Sequence, residues 1–94
     1  MKYKILIFII TYKASFRVID VIKKLPLKYL KQHNYQIYVS DDCSNDDTVI
    51  YIDKIKSKFK KKLTININKK NLGYGANIKN CINFAFKNNI DYAV

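Results

Sequence analysis

Residues 35–59 read YQIYVSDDCSNDDTVIYIDKIKSKF. Tyr35–Ser40 is rich in aromatic and β-branched residues, which suits an extended strand. The run from Asp41 to Thr48 is too polar for a core. It opens directly onto Val49, Ile52, Ile55 and Phe59, which recur at helical spacing. Asp46 or Asp47 is well placed to cap that helix and to meet its positive end. Strand, polar turn and helix in immediate succession are the unit from which parallel sheets are built.

The same alternation extends in both directions. Upstream, Ile5–Ile10 is a continuous apolar run, as expected of a strand buried on both faces. Ser15 is expected to cap a helix carrying Phe16, Ile19, Ile22 and Leu25, which Pro26 breaks or restarts as a short second turn. Downstream, Leu63–Asn68 alternates apolar and polar residues as a strand with one wetter face. Asn71–Gly75 forms a turn, and a third helix runs to about Asn88 with Ile78, Ile82, Ala85 and Phe86 as its expected buried stripe. Asp91–Val94 reads as the start of a fourth strand. The pattern implies an α/β, Rossmann-like parallel sheet with right-handed crossovers and strand order 3-2-1-4, strand one being central. A single domain over residues 1–94 accommodates all of it.

Composition narrows the function. The 94 residues carry a net charge of +11, yet Arg17 is the only arginine. Phosphate and base recognition usually exploit the bidentate arginine fork, so an excess made of lysine points to a solvated face or a general attraction for anions. Specific nucleic-acid binding is therefore not expected. A non-catalytic basic α/β module for anionic surfaces or nucleic acid remains the alternative function. Cys43 and Cys81 are too few and too far apart for a disulfide framework or a zinc site. Ile5–Ile10 is too short for a signal-peptide core or a membrane span. A reduced, cytoplasmic protein is expected, with peripheral association at the inner face of a membrane as a further option.

In open parallel sheets ligands bind beyond the carboxyl ends of the strands. Three polar clusters fall there: Thr11-Tyr12-Lys13, Asp41-Asp42, and Asn71 to Asn77. Asp41 and Asp42 precede the helix cap by several residues, so both carboxylates are expected to face a ligand. A phosphoacceptor receiver domain would need its acidic pair after strand one. A dinucleotide-binding Rossmann domain would need a glycine-rich turn there, and this chain has neither.

Taken together, the clusters resemble the first half of the GT-A glycosyltransferases of family 2, including the polyprenyl-phosphate sugar transferase branch. Val39-Ser40-Asp41-Asp42-Cys43-Ser44-Asn45-Asp46-Asp47-Thr48 is similar to the family's V-D-D-G-S-x-D-x-T. Asn71-Leu72-Gly73-Tyr74-Gly75-Ala76-Asn77 is similar to its N-x-G-x-G-x-A/N, and Ile10-Thr11-Tyr12-Lys13 is a degraded P-x-Y-N. The resemblance implies a UDP- or GDP-sugar donor, an acceptor of unknown kind, and a nucleotide site built from Ile10, Thr11, Tyr12, Asp41, Asp42, Gly73 and Lys79. Tyr12 and the backbone of Ile10 and Thr11 would wall the nucleobase, and Asp42 would accept its ring N–H. Gly73 would let the backbone pass close to the nucleotide, and Lys79 would reach a phosphate. Ile10, Lys13 and Cys43 replace the family's proline, asparagine and glycine, so strain is expected at Cys43. The family's divalent metal, magnesium or manganese, is held by a D-x-D motif at the end of the fourth strand. This chain contains no such motif and no catalytic residue, so residues 1–94 are expected to be a truncated, inactive nucleotide-binding half.

Overall fold

The computed structural model describes residues 2–94. Strands β1 (Lys4–Thr11), β2 (Asn34–Asp41), β3 (Leu63–Ile67) and β4 (Tyr92–Ala93) form one parallel sheet in the order β3-β2-β1-β4. The register runs Lys4 to Thr11 against Asn34 to Asp41, and Ile37 to Asp41 against Leu63 to Ile67. Crossovers are made by α1 (Arg17–Lys23) with the single turn α2 (Leu27–Leu30), by α3 (Thr48–Phe59), and by α4 (Tyr74–Lys87). The expected α/β order is thus present, and Pro26 restarts a short turn as its fixed φ allows.

Alternation along the strands divides the core into two layers. Ile7, Ile9, Ile37, Val39 and Leu63 pack with Val18, Ile22, Ile52 and Ile55 of α1 and α3. On the opposite face Leu6 and Tyr38 meet Cys81 of α4, with Phe8, Ile10 and Phe84 half-buried around them. Three helices therefore cover one face and one helix covers the other. Burial pushes the Cys81 thiol up to about 11, so it behaves as a small core residue.

Two expectations are corrected, and the third, Asp46 or Asp47 as the cap of α3, resolves onto Asp46. The inward face of α4 is only in part the stripe of Ile78, Ile82, Ala85 and Phe86: Ala85 packs against the core and Ile78 is half-buried. Asn77 and Cys81 are the buried positions, whereas Ile82 is 48% and Phe86 81% exposed. The helix is rotated by about one residue because polar partners satisfy Asn77, which lets an asparagine take an inward position. Ser15 does not cap α1. Its φ is 53°, and its N–H and hydroxyl are donated to Thr48 Oγ1 and Asp47 Oδ2 at 2.8 and 3.0 Å. Asp47 occupies the N-cap position of α3 without a side-chain cap, and Asp46 Oδ1 instead accepts the Thr48 N–H at 2.9 Å.

Candidate functional site

The sheet ladder continues one residue past the carboxyl ends of the strands. Asp42 donates its N–H to the Thr11 carbonyl and Asn68 donates to the Asp41 carbonyl, each at 2.9 Å. Adjacent side chains in a strand point to opposite faces. Asp41 and Asp42 therefore separate, one toward α1 and α3, the other toward α4.

Asp41 does not face a ligand, contrary to expectation. It is fully buried and its carboxylate is spent within the protein. Oδ1 accepts the hydroxyls of Thr11 and Ser44, both at 2.6 Å, and Oδ2 accepts the Ser44 N–H at 2.9 Å. A buried carboxylate is tolerable only when so partnered. The same bonds use the Thr11 hydroxyl, so this side chain, 3% exposed, is also unavailable. Ser44 in turn accepts the Lys13 N–H at 2.8 Å. Asp41 is thus the knot that ties the loop after β1 to the loop after β2.

Asp42 sits among donors of the third cluster. Its Oδ1 accepts the Leu72 N–H at 2.7 Å and Asn68 Nδ2 at 3.1 Å, and its Oδ2 accepts the Gly73 N–H at 2.9 Å. Chiefly through the Leu72 N–H, with the side chains of Asn68 and Asn77 and the Gly73 N–H adding, the carboxyl is lowered from 3.8 to about 2 against the opposing effect of burial, the residue being 5% exposed. Asp42 is therefore a carboxylate at any ordinary pH. Gly73 has φ 90° at the N-cap of α4, a conformation that disfavours a side chain, and a Cβ built there would meet nothing within 4 Å.

Behind Asp42 lies a closed ring of polar side chains. Ser40 Oγ donates to Asn77 Oδ1 at 2.6 Å, and Asn68 Nδ2 donates to the same oxygen at 2.8 Å. Asn66 Nδ2 donates to Asn68 Oδ1 at 2.9 Å and to Ser40 Oγ at 3.2 Å. Asn77 Nδ2 reaches the Gly73 carbonyl at 2.8 Å. Sequence reasoning quoted Ser40 and Asn77 only as letters of a motif and missed Asn66 and Asn68. The available signal was a cluster of amides at one end of β3 and one turn into α4.

Backbone strain concentrates at the same edge. Lys13, Ser15, Cys43 and Asn45 all have positive φ, from 51° to 60°. Cys43 therefore keeps the left-handed turn that glycine would fill, and its thiol donates to the Lys69 carbonyl at 3.5 Å. Strain of about 1–3 kcal/mol per such residue persists where surroundings over-determine it, commonly at sites of function.

The remaining predicted residues divide. Tyr12 is 49% exposed beside this cluster, with the Lys13 ammonium 5.4 Å from its ring centroid. Ile10 is half-buried against the α4 layer. Lys79 is exposed on α4 and makes no hydrogen bond to Asp42, Gly73 or Tyr12 among the described residues. Of the predicted residues, Thr11, Asp41, Asp42 and Gly73 are joined by hydrogen bonds, and none of the seven lines the cavities of about 390, 500 and 250 Å³ elsewhere in the molecule.

No curated protein matches the chain. A family model does: that of "Glycosyl transferase family 2" matches residues 6–90, which takes in all three polar clusters and the elements that carry them. The chain belongs to glycosyltransferase family 2, with the parallel sheet of order 3-2-1-4 and flanking helices of a Rossmann-like GT-A half.

Proposed function

We propose that this chain binds the nucleoside diphosphate portion of a nucleotide-sugar donor at the carboxyl edge of its sheet. The observation that carries this is Asp42, an ionised carboxylate held by the Leu72-Gly73 turn and placed one residue past β2. A carboxylate there accepts a ring N–H of uracil or guanine, and Tyr12 offers an exposed aromatic face for the base. The open space beside Gly73 suits close approach of a ligand. The N-terminus of α4, which has no side-chain cap, lies next to it and favours negative charge. Lys79, one turn further, is the nearest proposed cation for the phosphates. A reducing cytoplasmic setting suits the two free thiols, Cys43 and Cys81.

The family's divalent metal does not fit the residues present. Among the described residues no group of three or more His, Cys, Asp or Glu is gathered to hold an ion. Asp41, one of the paired carboxylates at this edge, is fully buried and committed to internal donors, which leaves Asp42 alone there. We therefore propose donor binding as the role of residues 1–94 and derive no metal-assisted step from them.

The test is calorimetric titration of the chain with UDP and GDP, with Asp42→Asn as the control. One of the two nucleotides is expected to bind, and the variant to bind at least about tenfold more weakly. Affinity that is indifferent to the base and collapses with salt would instead mark a general anion-binding module. Sugar transfer above background by the chain with manganese or magnesium would overturn the assignment of donor binding alone.

A further inference from the structure

The net charge of +11 is not spread evenly along the sheet. The carboxyl edge carries Asp41, Asp42, Asp46 and Asp47 against Lys13, Arg17, Lys69 and Lys70, so the charges there balance. At the amino edge Lys4 opens β1, Lys31 stands shortly before β2, and Lys60, Lys61 and Lys62 lead into β3. Among the described residues Asp91, just before β4, is the one carboxylate set against them. The two others, Asp20 and Asp53, are exposed on α1 and α3, which pack on the sheet face opposite α4.

This basic edge is concave. A cavity of about 500 Å³ lies between the strand starts and the end of α4, lined by Lys4, Lys61, Lys62, Asn34, Gln36 and Asn88. Lys4 and Asn34 are register partners and Gln36 lies two residues further on. Alternation therefore sends all three side chains to the face that Leu6 and Tyr38 share with α4. Lys62 is held in place: its Nζ lies 4.5 Å from the Tyr35 ring centroid and donates to the Tyr35 carbonyl at 3.4 Å. Two ammonium hydrogens are left over. Asp91 Oδ2 accepts the Lys4 N–H at 2.8 Å, which sets one negative charge beside three positive ones. The carbonyl end of α4 also repels an anion, and Lys87 in its last turn offsets that. Lysines on a convex surface are solvated one by one, whereas a cleft lined by one sign of charge focuses the field within it.

The lysines decide the ligand chemistry. A carboxylate is best met by the planar fork of arginine, and the cavity has none. Ammonium groups act as point charges and suit a phosphate. The volume falls within the range of small-ligand sites. We propose that this cavity binds a phosphate-bearing anion of two or more charges, either free in solution or as a lipid headgroup. The eight residues of β1 separate the two edges by roughly 25 Å, at about 3.3 Å per residue, so this site is distinct from the one proposed for the donor. It stands whether or not a nucleotide binds at the carboxyl edge.

The experiment uses the full chain and two double variants, each of which removes two positive charges. Lys61→Gln with Lys62→Gln alters the cavity, and Lys54→Gln with Lys58→Gln alters the exposed side of α3. Pyrophosphate is titrated by calorimetry, with backbone NMR shifts to locate it. Vesicles of phosphatidylcholine containing phosphatidylglycerol are tested by co-sedimentation. Bound pyrophosphate is expected to move Asn34, Gln36 and Asn88 and to leave Leu72 and Gly73 in place. The cavity variant is expected to weaken binding at least about tenfold, and the α3 variant no more than about threefold. Such a difference for pyrophosphate alone assigns a free phosphate anion, for vesicles alone a lipid headgroup, and for both a site that takes either. No binding in either arm, or equal weakening by the two variants in both arms, would overturn the proposal and reduce the lysine excess to a diffuse field. If bound pyrophosphate moves Leu72 and Gly73 instead, free phosphate is excluded from the cavity and the vesicle arm decides.

Discussion

Cys43 holds φ at 60° in the turn that follows β2, where its side chain crowds the backbone. Holding a side chain in this region costs about 1 kcal/mol or more. Glycine would remove that cost but bring back about 0.4–1 kcal/mol of chain entropy in the unfolded state. Cys43→Gly is therefore expected to lie between neutral and about 1 kcal/mol stabilising, and Cys43→Val to destabilise by at least about 1 kcal/mol, since a β-branched residue tolerates positive φ worst. Urea unfolding of the two variants checks both signs. Asp42 makes a second prediction at this scale. Its folded value is lowered to about 2 from 3.8, so its contribution to stability is fully present above about pH 4. The contribution is lost as pH falls from there through about 2, because the protonated group can no longer accept from Leu72, Asn68 and Gly73. Asp42→Asn should flatten this part of the stability profile, measured by denaturant unfolding between pH 5 and 2. A profile that keeps its slope would assign the loss to other carboxylates, of which Asp46, lowered chiefly by the Thr48 hydroxyl, is the first candidate.

Among the elements, α3 and α4 respond differently to substitution. Ile52 of α3 is fully buried in the larger layer, so Ile52→Ala should cost about 2–5 kcal/mol, most of what a domain this small has to spare. Phe86 of α4 is 81% exposed, so Phe86→Ala should change stability by no more than about 0.5 kcal/mol. Thermal melts of the two variants separate these outcomes. The contrast also marks what was legible in the sequence. The strands and their order follow from the two-sided hydrophobicity of Ile5–Ile10 and from the alternation of strand with helix, because period and length are local properties. The phase of α4 was not legible. Ile78, Ile82 and Phe86 are apolar letters, but Asn77 turns inward because Ser40, 37 residues away, and Asn68, nine residues away, supply its partners. Asp41 was misjudged for the same reason. Its fate depends on Thr11, thirty residues away, which no neighbouring letter announces. Asp42 and Gly73, by contrast, do meet, as their place at two strand ends implied.

At the scale of the whole molecule, charge and bare apolar surface oppose each other. The radius of gyration is 12.9 Å, close to the ~12–13 Å expected of a compact chain of this length, so exposed apolar groups do not reflect a loose fold. They reflect the sheet face covered by α4 alone. There Ile82 and Phe86 are 48% and 81% exposed and, with Phe8, Ala85 and Ala93, line an apolar cavity of about 390 Å³. No helix of the described residues is long and apolar enough to cross a membrane, so this surface is not part of a span. Contiguous apolar patches drive self-association, while a net charge of +11 holds copies apart. Repulsion of that kind acts over a Debye length of about 10 Å at 0.1 M salt and about 3 Å at 1 M, whereas apolar attraction is not screened. Light scattering by the chain is therefore expected to rise as sodium chloride increases from about 0.05 to 0.5 M. Replacing Ile82 and Phe86 together by glutamate should abolish that rise even though it lowers the net positive charge, because the patch itself is gone. If association persists in the double variant and grows with the lost charge, the open strand edges are the contact instead, and substitutions at β3 or β4 should then suppress it.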